Sequence, residues 1–221
     1  MANKETKAER REAARRARLE AQRRAQARAR RRKMWAGLIG LLAVGGIVAA
    51  VLLSGRADRA AAQELEEFAA PAGCEVPAEQ AEEGHDHITA PETVEYKTNP
   101  PTSGDHYSAQ GAPERTGIHV SPIQSEAQVH NLEHGHIGIQ YSPALPDEVL
   151  KALEEVTRSN DEWAFLAPRP DLDVPLALTS WTWLSRCQSP TTPDDVKAFA
   201  AKFIEVRKDK GRESVPGAPA A

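Results

Sequence analysis

The chain has 221 residues, enough for one domain of ordinary size plus extensions. Its net charge of −4 hides a split: residues 1–33 carry 14 Lys/Arg against 4 Glu, and the remaining chain carries 14 basic against 28 acidic residues. With two cysteines and no Cys-x-x-Cys, and with no Met beyond position 34, composition excludes a thioredoxin-type redox motif and a methionine-rich copper(I) site.

Residues 1–33 are rich in strong helix formers but have no apolar stripe, so they cannot bury a core. They read as a solvated basic tail beside anionic lipid headgroups. Nucleic acid is disfavoured as a partner, because no base-reading motif or interleaved aromatic accompanies the charge. Met34–Leu53 follows with twenty residues and no charge, the length at which a helix crosses a hydrocarbon core. The basic flank places the N-terminus in the cytoplasm and residues 54–221 outside the cell membrane. A cleaved signal peptide is the rival reading. Its apolar region normally runs about 7–15 residues, shorter than this one, so an uncleaved single-pass anchor is expected. Residues 54–71 read as a polar stalk, leaving 72–211 as the extracytoplasmic domain and 212–221 as a disordered tail.

The domain opens on Cys74, which an oxidising compartment would pair with Cys187, the only other cysteine. Glycine, proline, serine and threonine then dominate, and the stretch reads as a long loop with one short strand at Thr93–Tyr96. Regular patterning returns at "HIGIQY", where Ile137, Ile139 and Tyr141 share one face of a half-buried strand. "LPDEVLKALEEVTRSN" reads as a helix with Val149, Leu150, Leu153 and Val156 inward, and "DEWAFLAP" and "VPLALTSWTW" read as two strands. Near the end, "TPDDVKAFAAKFIEVRKDKG" predicts a helix capped by Thr192, opened by Pro193 and packed through Val196, Phe199, Ala200, Phe203 and Ile204. The expected architecture is α/β or α+β: a single small sheet, two packed helices and a long N-terminal loop region, preceded by one transmembrane helix.

All seven histidines fall between positions 85 and 136. On a helical turn, at about 100° per residue, His130, Glu133 and His134 share one arc, where two imidazoles can grip a cation and the carboxylate can ligate or act as base. "HNLEH" also fits the His-x-x-Glu-His pattern of inverted zinc peptidases, but Gly135 and the strand at 136 leave little room for the helix that chemistry needs. In extended chain, His134 and His136 share a face, which makes His136 a further ligand candidate. Upstream, "NPPTSGDHY" sets a rigid approach at Asn99-Pro100-Pro101 and a turn at Ser103-Gly104 just before His106, which is a device for holding one histidine. His106 is expected to meet His130 and His134. "GHDHIT", with His85, Asp86 and His87, reads as a solvated acidic loop, with a weak metal-scavenging sequence as the alternative.

These two motifs, "NPPTSGDHY" and "VHNLEHG", with "HIGIQYSP", "FLAPRPDL" and "VPLALTSW", resemble the bacterial family called domain of unknown function 3105, over roughly residues 72–212. The resemblance implies an anchored extracytoplasmic domain and carries its motif onto Asn99, Ser103, Gly104, His106, Tyr107, His130, Asn131, Glu133, His134 and Gly135. It leaves His85, His87, His119 and His136 outside the shared site and supplies no activity. Three functions stay open: binding of a divalent transition metal, zinc or copper, by His106, His130, His134 and Glu133; a metal-dependent hydrolase with Glu133 as general base; and a non-catalytic scaffold whose histidines only brace the loop.

Overall fold

A computed structural model describes residues 63–108 and 113–213, together with Trp35 and Ala60. The basic tail, the apolar segment 34–53 apart from Trp35, and residues 214–221 lie outside the described residues. Among the described residues no helix is long and apolar enough to cross a membrane.

In chain order the elements are α1 (helical residues 63–69), β1 (Ala78–Glu79), β2 (His87–Ile88), β3 (His106–Tyr107), β4 (Gly117–Ile118), α2 (Ser125–Glu133), β5 (Ile137–Tyr141), α3 (Asp147–Arg158), β6 (Ala164–Pro168), β7 (Leu176–Ser180), β8 (Trp183–Cys187) and α4 (Pro193–Arg207). Six strands make one mixed sheet in the order β1-β8-β7-β5-β6-β4. β5, β6 and β4 run parallel to one another, while β7, β8 and β1 add on antiparallel. The parallel β5–β6 pair is joined through α3, the crossover that parallel strands require. β2 and β3 form a separate parallel ladder.

The two faces of the sheet are covered differently. Ile137 and Ile139 of β5, Leu166 of β6 and Leu176 and Leu178 of β7 turn toward α3 and α4. Val149, Leu153 and Val156 of α3 and Val196, Phe199, Phe203 and Ile204 of α4 complete that core, as the helical periodicity predicts. Fully burying a phenylalanine such as Phe199 or Phe203 contributes on the order of 2–3 kcal/mol. Thr192 caps α4 by accepting from the Asp195 amide at 3.2 Å. On the opposite face Phe165 and Ala167 of β6 meet Ala127, Val129 and Leu132 of α2, with Tyr107 and Trp181. The Cys74–Cys187 disulfide is present and ties the chain after α1 to the end of β8.

Five expectations change. The sheet is larger than a single small one and is accompanied by a second ladder, and four helices rather than two are described. α2 spans Ser125–Glu133, where the sequence offers no more than a helical turn at 129–134 as one of two readings. Thr93–Tyr96 forms no strand. "VPLALTSWTW" is not one strand but most of a hairpin that turns at Trp181-Thr182, with Ser180 paired to Trp183. β5 is buried on both faces, because α2 covers the side that would otherwise face water.

Candidate metal centre

Three segments distant in sequence build the site: β2, β3 and the C-terminal half of α2. The β2–β3 ladder sets His87 directly beside His106, and Ile88 beside Tyr107. The ladder is extended by the Gly104 amide donating to the Gly84 carbonyl at 3.0 Å, His106 to Asp86 at 3.0 Å and Ser108 to Ile88 at 3.2 Å. The Asp105 carboxylate accepts from the Asp86 amide at 3.0 Å, and Ser103 Oγ accepts from the Glu83 amide at 3.1 Å. Gly104 has φ +128°, and a Cβ there would lie 2.6 Å from the Tyr96 ring, so the turn before His106 requires glycine.

Arg169 locks this loop to α2. Its Nε donates to Asn99 Oδ1 at 2.5 Å, Nη1 to Gln128 Oε1 at 3.4 Å and Nη2 to Ser125 Oγ at 3.1 Å. Asn131 holds a third segment: its Oδ1 accepts from the Glu114 amide at 2.8 Å and its Nδ2 donates to the Glu114 carbonyl at 2.7 Å. Gly135, at φ +86°, turns the chain out of α2 and into β5.

One ring nitrogen from each of His87, His106 and His130 falls within 4.8 Å of the others. His106 is fully buried, His130 nearly so and His87 exposed, so the cluster opens to solvent on the His87 side. His106 Nδ1 donates to the Gly104 carbonyl at 2.8 Å, and His130 Nδ1 donates to the Tyr107 carbonyl at 2.6 Å. A proton held at Nδ1 leaves Nε2 of the neutral ring with a free lone pair, the tautomer a metal ligand needs. Glu133, also buried, places Oε2 2.9 Å from His106 Nε2 and 3.7 Å from His87 Nε2. Between His106 Nε2 and that carboxylate oxygen a further proton, or a cation in its place, must sit, because two lone pairs repel. His134 Nε2 lies 2.9 Å from His130 Nε2.

The surroundings of His130 favour its neutral ring. Burial, followed by the neighbouring His134, His106 and His87 rings, holds His130 below the usual histidine range, against the opposing pull of the Tyr107 carbonyl. Glu133 sits in the last turn of α2, where the helix dipole disfavours a carboxylate, and the Arg212 guanidinium meets its Oε1 at 3.3 Å. The donor set of imidazole nitrogens and one carboxylate oxygen, without thiolate, suits zinc or copper(II). Zinc takes imidazole nitrogens at about 2.0–2.1 Å in a tetrahedron, so neighbouring donors lie about 3.3 Å apart. The three nitrogens, within 4.8 Å of one another, would have to draw together to hold an ion in that way.

Of the residues the sequence singles out, His106, His130 and Glu133 come together, and the His134 ring lies tilted beside His130 at a ring separation of 4.8 Å. His134 is not one of the three converging histidines; that place belongs to His87, which the sequence reads as part of a solvated loop. His136 does not join them: its ring lies 6.1 Å from Trp163, and neither ring nitrogen has a hydrogen-bond partner among the described residues. His85 pairs with Glu82 at 2.9 Å and His119 with the Arg115 carbonyl at 2.5 Å, both away from the cluster. Nothing in "GHDHIT" distinguishes His87 from His85 except the apolar Ile88 beside it, which packs against the core under α2. The helix that "HNLEH" demands does exist, ending at Glu133 with His134 as its cap.

No curated protein and no solved structure matches the chain. A family model described as "Protein of unknown function (DUF3105)" matches residues 87–217, a span that begins at His87 and contains every residue of the cluster. Through that match, covering more than half of its length, the chain belongs to the DUF3105 family.

Proposed function

We propose that the folded domain, from α1 with its buried Leu65 and Ala69 to Glu213 rather than residues 72–211 alone, is the extracytoplasmic part of a single-pass membrane protein, and that His87, His106 and His130, with Glu133, bind one zinc or copper(II) ion for metal handling at the cell envelope. The observation that carries the metal reading is the pair of buried imidazoles whose Nδ1 protons are committed to backbone carbonyls. Such tethering turns both Nε2 atoms toward a shared centre and fixes the ring orientation before an ion arrives. The membrane assignment rests on the apolar segment 34–53 and its basic flank.

The full-length protein, purified in detergent, is expected to hold about one zinc or copper per chain by elemental analysis, and to lose it to a chelator with a fall in melting temperature. His87→Ala, His106→Ala and His130→Ala should each weaken binding at the same single site, by more than His134→Ala does. Absence of metal, together with melting unmoved by added Zn²⁺ or Cu²⁺, would leave the bracing role alone. Glu133→Gln then separates a ligand from a base: lost affinity marks a ligand, whereas retained affinity with lost turnover of an ester or peptide would mark the hydrolase.

A further inference from the structure

The chain beyond α4 returns to the site. The Asp209 amide donates to the Gly135 carbonyl at 3.0 Å, and the Glu213 amide donates to the Glu133 carbonyl at 2.9 Å. Between these two bonds Gly211 lies so close that a Cβ would fall 2.1 Å from the Glu133 carbonyl oxygen and 2.3 Å from the Gly135 nitrogen. Residues 209–213 therefore form a strap pressed flat against the turn that carries Glu133 and His134. The strap delivers Arg212, whose Nη1 reaches Glu133 Oε1 at 3.3 Å and Glu213 Oε1 at 3.4 Å. The family match runs through this strap to residue 217.

The two carboxylate oxygens of Glu133 are thus divided: Oε1 faces Arg212, and Oε2 faces His106 and His87. We infer that Arg212 is a positioning residue that restricts Glu133 to one-oxygen ligation, and so selects metals content with few ligands, such as zinc and copper(II), over those that favour larger oxygen-rich shells, such as manganese(II). A carboxylate free at both oxygens can bind bidentately and raise the coordination number, whereas one whose second oxygen is engaged by a guanidinium binds through the other. The guanidinium also places a positive charge beside Oε1 at the C-terminal end of α2 and fixes which oxygen faces the histidines.

This inference rests on the metal reading of the site, and cobalt(II) separates their failures, since its visible spectrum reports coordination number. The wild-type full chain in detergent should bind cobalt with the strong absorption of a four- or five-coordinate ion. Arg212→Gln should weaken zinc binding by about 10–100-fold, the range for loss of a supporting partner. It should also weaken the cobalt bands toward the six-coordinate pattern and narrow the preference for zinc over manganese. Arg212→Lys should recover part of the affinity and of the spectrum. Gly211→Ala alters no charge but lifts the strap, and should reproduce the Arg212→Gln spectrum. If the wild-type chain takes up no cobalt and no zinc, the metal reading itself fails. If it binds both and the Arg212→Gln and Gly211→Ala proteins show unchanged spectra and metal preference, Arg212 has no positioning role and the metal reading stands.

Discussion

Side chains in this domain are sorted by where their second polar atom goes. His106 and His130 spend Nδ1 on a carbonyl and turn Nε2 to another side chain of the site, Glu133 and His134 respectively. His136 spends neither nitrogen, although it is only 2% exposed. Burial, followed by the charge of His134, lowers its pKa to about 4, against about 6.5 for an exposed histidine. Between those values the unfolded chain binds a proton that the folded chain refuses. Stability from this residue is therefore complete above pH 6.5, falls as pH drops toward 4 and is level below. The loss is about 3 kcal/mol at most. His136→Leu removes an unpaired polar ring at similar volume. In chelator-treated protein its urea midpoint should fall less than the wild-type midpoint between pH 7 and pH 4; parallel curves for the two proteins would refute the assignment.

At the scale of elements, two features escaped sequence patterning for identifiable reasons. α2 buries Glu126, Gln128, His130, Asn131 and Glu133 along with its apolar residues, so it has no polar outer face and no amphipathic stripe to detect. Its polar side chains are instead consumed locally, Gln128 by Arg169 and the Pro101 carbonyl, Glu126 by the Val94 amide at 2.9 Å. The β7–β8 hairpin turns at Trp181-Thr182 without the glycine or asparagine that normally marks such a turn. Thr182 takes φ 58°, unusual for a β-branched residue, and is held there from outside: its amide donates to the Thr102 carbonyl at 2.9 Å and its carbonyl accepts from the Gln80 amide at 2.6 Å. The disulfide belongs to this scale as well, because it fastens the segment after α1 to β8. With the cysteines 113 positions apart in sequence, loop-closure entropy gives it roughly 4–5 kcal/mol as an upper figure. Replacing both Cys74 and Cys187 by Ala should lower unfolding free energy by a large part of that amount, read from urea denaturation; an unchanged midpoint would show that the bridge contributes little.

For the whole molecule, the charge split and the apolar segment predict a topology. A reporter enzyme that matures only outside the cytoplasm should be active when fused after Ala221 and inactive when fused after Lys33; the reverse pattern would overturn the orientation. The disulfide agrees with an oxidising exterior. Membership of a family with no assigned activity leaves the chemistry of the site as the guide to function.

Helices α3 and α4, strands β5 and β6, the Thr192 cap and the cysteine pair were legible in the residues alone. Each depends on local periodicity, a local hydrogen bond or the simple absence of another partner. The sequence also marked His106, through the rigid Pro-Pro and Gly turn before it, and His130, Glu133 and His134, through their spacing on a helical turn. Only the tertiary structure decided that His87 and not His134 completes the converging histidines, that His136 stands apart, and that Arg212 returns to Glu133. Those outcomes hang on a two-residue parallel ladder and on a strap that passes close over Gly135. Pairings between segments tens of residues apart leave no periodicity in either one, so the chemistry they assemble appears only when the chain is folded.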